Sequence, residues 1–185
     1  EALECPTVLV VPSPRPAKAT ERAIERESVH VLRELSAIAS EHAVRLAYEF
    51  LGFADCSVNR LARCAAIIER VDVPNVGLVL DTFHFHAGAS PIGSIREVDP
   101  DRIFMVHVND VEAAPRRKMH DALRVYPGRG VIPLERVLGA LKAAGYKGGS
   151  SVEIFRPEYW QQNPLGVARQ AKAAALAVLK RAGWA

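Results

Sequence analysis

Short β-branched runs alternate with longer charged, amphipathic segments five times along this chain, and no other feature constrains the fold as much. Thr7-Val-Leu-Val-Val11, closed by Pro6 and Pro12, reads as a buried strand. Ala19 to His42 follows as a helix, with Ile24, Val31, Leu35 and Ile38 at helical spacing. Val44 to Phe53 is the second strand, ending near Gly52, and Asn59 to Val71 the helix behind it, with Leu61, Ala65 and Ile68 on one face. Val76 to Leu80 and Ile103 to Val108 are the third and fourth strands, with a short helix over Pro91 to Val98 between them. Pro133 to Ala144 is a helix that Gly145 ends as a C′ glycine. Ser150 to Phe155 is the fifth strand and Gln161 to Lys180 the last, Ala-rich helix. Repeated strand-then-helix units with apolar strands predict a parallel α/β sheet covered by helices. We find no linker, so residues 1–185 read as one domain.

Composition narrows the partners. Lys+Arg 24 against Asp+Glu 21 leaves a net charge of +3, without the clustered excess of a nucleic-acid binder. The basic run Arg116, Arg117, Lys118 reads as a solvated loop. No apolar run approaches the ~20 residues of a membrane span. Three cysteines without a CxxC spacing fit a reduced, cytoplasmic chain better than a disulfide framework or a thiolate zinc site.

In α/β sheets and barrels the active groups gather at the carboxyl ends of strands. Here those ends carry Glu49, then Asp81 with His84 and His86 behind it, then His107 with Asn109 and Asp110, and finally Glu153 with Arg156. A single carboxylate at such a place commonly caps a helix or pairs with arginine, and a single histidine is commonly a hydrogen-bonded core residue. Four metal-capable residues on four successive strand ends point instead to one shared cation, because burying them unpartnered is costly. Carboxylates with imidazole and no thiolate suit Mn, Co, Mg or Zn. Two glutamates on one ion go further. Enolisation needs a base beside a carbonyl and positive charge near the developing oxyanion, and a second carboxylate can handle the returning proton.

Six stretches carry a family likeness: Leu46–Phe53 (LAYEFLGF), Cys56–Asn59 (CSVN), Asn75–His86 (NVGLVLDTFHFH), Ile103–Asp110 (IFMVHVND), Arg124–Gly130 (RVYPGRG) and Ser151–Tyr159 (SVEIFRPEY). With these the chain resembles the sugar isomerase/epimerase family with the xylose-isomerase-like barrel, nearest to its keto-inositol isomerases of myo-inositol catabolism. The intervals of 32, 26 and 46 residues between Glu49, Asp81, His107 and Glu153 are similar to that family's metal set. The resemblance implies a (β/α)8 TIM-type barrel and one divalent ion held by Glu49, Asp81, His107 and Glu153. It implies that Glu49 and Glu153 double as the proton-transfer pair, and that His84 and Arg156 contact a polyol or ketose substrate. Asp121 and Arg124, before the Pro-Gly-x-Gly turn, are expected to reach over the pocket, Arg124 as a further substrate contact. His86 is expected to be structural, and Tyr159 and Trp160 to pack at the start of the last helix.

Eight strands and ~250 residues make a full barrel, whereas five strand units are legible here. The expectation is an N-terminally truncated portion whose exposed sheet edge could pair with a second copy as a homo-oligomer. The activity expected is proton abstraction next to a carbonyl through an enediolate, as in isomerases and epimerases. A dehydratase of the inosose or 3-dehydroshikimate type is the alternative, with His84 as acid for the departing hydroxyl. Endonuclease IV shares the barrel, but the mild charge and few strand-end histidines weigh against a hydrolase.

Overall fold

The computed structural model describes residues 4–184. Its centre is an all-parallel five-stranded sheet in the order β1-β2-β3-β4-β7, formed by β1 (Thr7–Val10), β2 (Arg45–Glu49), β3 (Val76–Asp81), β4 (Ile103–His107) and β7 (Ser150–Ser151). An antiparallel ribbon of β5 (Asp110–Val111) and β6 (Arg124–Val125) stands beyond the end of β4. The helices are α1 (Glu21–Glu41), α2 (Leu61–Val71), α3 (Thr82–Ala87), α4 (Leu134–Ala144), α5 (Pro157–Trp160) and α6 (Pro164–Arg181). The element order is the one expected of a βα barrel wall.

Alternation along the strands separates two environments. Leu46 and Tyr48 of β2, Leu78 and Leu80 of β3 and Val106 of β4 join the apolar cluster with Leu32, Leu61, Ile67, Ile68, Leu138 and Leu141 of the helices. Ala47, Gly77 and Val79 line the other face, which ends in Glu49 and Asp81. Thr20 caps α1 by accepting from the Ala23 amide. Gly145 ends α4 at φ 93°, as the sequence predicts.

Several expectations are corrected. β1 is an edge strand, so Val8 and Val11 are about half exposed rather than buried. On α1 the packed residues are Ile24, Leu32, Ser36 and Ala39, while Val31 and Ile38 face outward. Small residues lie against the sheet there, and bulk misleads the face assignment. The fifth strand pairs over Ser150 and Ser151 alone, because no strand flanks its far side among the described residues. Trp160 is 64% exposed and does not pack, although Tyr159 stacks on Tyr126 with ring centroids 4.3 Å apart. The accessible surface is 10401 Å², against about 8,800 Å² for a closed monomer of this mass. The unpaired outer sides of β1 and β7 account for that direction.

Candidate metal centre

Register brings the four strand-end residues together. Asp81 lies opposite His107, and His107 opposite Ser151, two residues before Glu153. Glu49 lies opposite Val79, two residues before Asp81. Steps of two preserve the face, so all four side chains point to the inner side. One irregularity makes this work. Leu78 pairs with Ile103 but Val79 pairs with Met105, which leaves Phe104 as an extra residue in β4. Continued without that bulge, the pairing would set Asp81 against Val106 and turn His107 outward. Gly77 makes room for the bulge: a Cβ there would stand 2.7 Å from the Phe104 ring and 2.5 Å from the Arg102 carbonyl oxygen. Arg45 lies over the Phe104 ring, 4.6 Å from its centroid.

Glu49, Asp81, His107 and Glu153 each offer a donor atom, and these atoms lie within 4.8 Å of one another. His107 Nδ1 is 3.1 Å from Glu49 Oε1, 3.5 Å from Glu153 Oε2 and 3.8 Å from Asp81 Oδ2. Glu49, Asp81 and His107 are buried and Glu153 is partly exposed. The two oxygens of Asp81 are both engaged. Oδ1 caps α3 by accepting from the His84 amide at 2.9 Å. Oδ2 accepts from Asn109 Nδ2 at 2.8 Å and from Arg124 Nη1 at 2.7 Å. Asn109 is held in turn by Thr82, whose hydroxyl lies 2.8 Å from the Asn109 carbonyl oxygen. By contrast, Glu49 Oε2 and Glu153 Oε1 carry no side-chain hydrogen bond among the described residues.

Electrostatics reflect crowded negative charge. Burial pushes the Glu49 carboxyl up, against the hydrogen bond from His107. Burial also opposes charge on His107, but hydrogen bonds to Glu153 and Glu49 prevail and raise it to about 10. Asp81 is held below the usual carboxylate range despite its burial, chiefly by Arg124. Three carboxylates thus share one imidazole proton and one guanidinium, a balance that a divalent cation fits. Glu49, Asp81, His107 and Glu153 would hold such an ion, which would supply the positive charge that the carboxylates lack.

The remaining predicted residues divide. Arg124 is fully buried, donates to Asp121 Oδ1 at 2.8 Å and lies 3.3 Å from Glu153 Oε2 and 3.1 Å from His84 Nε2. His84 Nδ1 accepts from the Gly52 amide at 3.1 Å. A backbone N–H and a guanidinium N–H both only donate, so both ring nitrogens of His84 face donors, Gly52 N and Arg124 Nη2. Burial, together with these donors, opposes a second proton on the ring. Arg156 stands apart from the cluster, ion-paired with Glu112 at 2.8 Å and Glu158 at 3.2 Å. His86 is half-buried, outside the four-residue cluster. The orienting roles of Asn109 and Gly52, and the slot at Gly77, went unassigned in the sequence. Only the position of Asn109 just past a strand end could have drawn attention to it.

The parallel barrel wall and its rim of mixed oxygen and nitrogen donors define the class. Residues 1–181 match the Xylose isomerase-like TIM barrel family, and the chain belongs to it. Among individual proteins it is similar to the inosose isomerase of Halalkalibacterium halodurans, 41% identical over 98% of this chain and 64% of the relative. It superposes on the crystal structure of the IOLI protein with a binding zinc atom, with a TM-score of 0.92 and 40% identity over 95% of this chain and 63% of that one. A 3-dehydroshikimate dehydratase of Pseudomonas putida is 30% identical over 71% of this chain and 21% of the relative. The chain therefore spans somewhat less than two thirds of the length of the isomerase relative it matches.

Proposed function

We propose that this protein is a divalent-metal-dependent isomerase or epimerase of a keto-inositol or similar polyhydroxylated ketone. Glu49, Asp81, His107 and Glu153 would hold the ion. When bound, the cation supplies positive charge to a carbonyl oxygen and so acidifies the neighbouring C–H. One observation carries the reading: both glutamates keep an oxygen free of hydrogen bonds, whereas both oxygens of Asp81 are engaged. Asp81 is thereby a ligand only. Glu49 and Glu153 can each ligate through one oxygen and exchange a proton through the other. One takes the proton from the carbon next to the carbonyl, leaving an enediolate. The hydroxyl proton of that carbon passes to the former carbonyl oxygen. The other glutamate, protonated at the outset, gives its proton to the former carbonyl carbon, after which the two glutamates re-equilibrate their protons with solvent. Arg124 is a donor suited to substrate oxygens, and His84 lies beside it. Arg156, braced by Glu112 and Glu158, could reach substrate only by leaving those partners. The similarity to an inosose isomerase supports this substrate class.

The surroundings of His84 weigh against the dehydratase alternative. Elimination needs an acid for the departing hydroxyl, and a buried imidazole with the Gly52 amide on Nδ1 and Arg124 Nη2 on Nε2 is kept from the charged form that would serve as one.

The test is incubation with 2-keto-myo-inositol and Mn²⁺ in D₂O, followed by proton NMR, with and without chelator. Metal-dependent deuterium uptake with a new ketone isomer is the expected result. A dehydrated product would move the assignment to the lyase reading, and absence of exchange would overturn the substrate assignment.

A further inference from the structure

Asp110 is buried, and nothing assigned so far uses it. Its carboxylate accepts four backbone hydrogen bonds, two on each oxygen. Oδ1 takes the amides of Val111 and Ile132, both at 2.9 Å. Oδ2 takes those of Gly128 at 3.1 Å and Gly130 at 2.9 Å. No cation pairs with it among the described residues. Gly130 permits the approach, because a Cβ there would lie 2.4 Å from Asp110 Oδ1 and 2.2 Å from the Val111 carbonyl oxygen. The backbone of Asp110 also pairs with Val125, next to Arg124. One residue therefore fixes β6 on one side and the turn that follows it on the other.

Arg124 stands between those two attachments. Its guanidinium is the group that reaches Asp81, Glu153, Asp121 and His84 from outside the main sheet. Burial of Val111, Val125 and Ile132, the Tyr126–Tyr159 stack and the backbone bonds Glu112 to Leu123 and Val131 to Val111 hold the ribbon in the core, whereas the Asp110 carboxylate is the side chain that gathers the turn amides beside Arg124. We infer that Asp110 is a positioning residue, which sets the reach of Arg124 into the carboxylate cluster by clamping the turn at Gly128–Ile132. The inference rests on the reading of the cluster as a metal and substrate site, and it concerns a residue that would itself touch neither.

Asp110→Asn is the discriminating change. Each oxygen takes two amides, so either orientation of the asparagine side chain turns its NH₂ toward two backbone donors. A double-mutant cycle with Arg124→Met separates positioning from structure. It is read in two ways: Mn²⁺ affinity by calorimetric titration, and metal-dependent exchange of the ketone in D₂O. We expect Asp110→Asn to tighten Mn²⁺ binding in the direction of Arg124→Met and to lower exchange by about tenfold or more. The double variant should match Arg124→Met within about twofold in both readouts. A merely structural Asp110 would multiply the two effects, and that outcome overturns the inference. If the ketone proves not to be a substrate, the affinity cycle still decides the matter without it. Should Asp110→Asn fail to fold, amide hydrogen exchange in the unmodified protein serves instead. Slow exchange at Gly128, Gly130 and Ile132 is expected, and loop-like rates there overturn the clamp.

Discussion

Arg124 Nη1 donates to Asp81 Oδ2 at 2.7 Å, and both side chains are essentially inaccessible to solvent. This cation occupies charge space that a metal ion would share. Removing it relieves repulsion on a bound dication but leaves Asp81 uncompensated in its absence. Breaking a buried pair in this way costs about 3–5 kcal/mol. Arg124→Met is therefore expected to lower the melting temperature of the metal-free protein and to tighten Mn²⁺ binding. Melting curves with and without Mn²⁺, beside a titration, check it. Weaker Mn²⁺ binding by the variant would contradict the account.

The proton on His107 gives a pH dependence with a definite sign. Its raised value, about 10, means that the folded state binds this proton more tightly than the unfolded chain does. Stability from it is complete below the ordinary histidine value of about 6.5 and is lost as pH rises through about 10. Glu49, also raised, acts in the same direction at lower pH. The metal-free protein should lose stability across that window, by at most about 1.4 kcal/mol per pH unit for one proton. His107→Gln should flatten the loss. Denaturant titrations from pH 6 to 10 would show it, and a flat profile in the parent protein would refute it.

Gly77 should resist substitution far from any ligand atom. In Gly77→Ala the added carbon meets the Phe104 ring and the Arg102 carbonyl oxygen, both well inside contact distance. The bulge must move, and with it the register that sets His107 beside Asp81. The expected outcome is a loss of about 1–3 kcal/mol together with loss of the Mn²⁺-dependent rise in melting temperature. A variant that melts lower yet keeps the full Mn²⁺ shift would show that the bulge does not govern the site.

Two alanines occupy positions where glycine is usual. Ala43 (φ 54°) follows α1 and Ala89 (φ 57°) follows α3. Both helix ends show the same closing pattern: Val44 donates to Ala39 and Ser90 to Phe85. An L-residue in this region costs about 1 kcal/mol. Ala43→Gly, on the exposed end, should raise the melting temperature by about 2–4 °C, measured by calorimetry. A decrease would mean that the entropy of the unfolded glycine chain dominates.

The strand ends were legible because chemistry interrupts apolar runs there. Glu49, Asp81 and His107 each close a strand and Glu153 follows one, so their place at the strand ends marked them, while the face they share depends on pairing. The barrel wall followed from the alternation of strands and helices. What resisted reading depends on pairing between distant residues. Nothing local to Ile103–His107 announces an extra residue, since the bulge exists only relative to β3. The clamp at Asp110 needs amides 18 to 22 residues away. Val31 and Ile38 look like core residues by type, yet the contact face of α1 includes Ser36 and Ala39. Exposure of Trp160 depends on what lies beside α5, which its own neighbours in sequence do not specify.

The Phe104 bulge has a consequence for folding fidelity. Any sheet assembled one residue out of step on β4 would point His107 away from the three carboxylates. A cation that binds only the complete set stabilises the correct alignment and gives nothing to the misaligned one. Divalent ions would thereby act as proofreaders of strand alignment, and the yield of correctly paired protein on refolding would follow their availability.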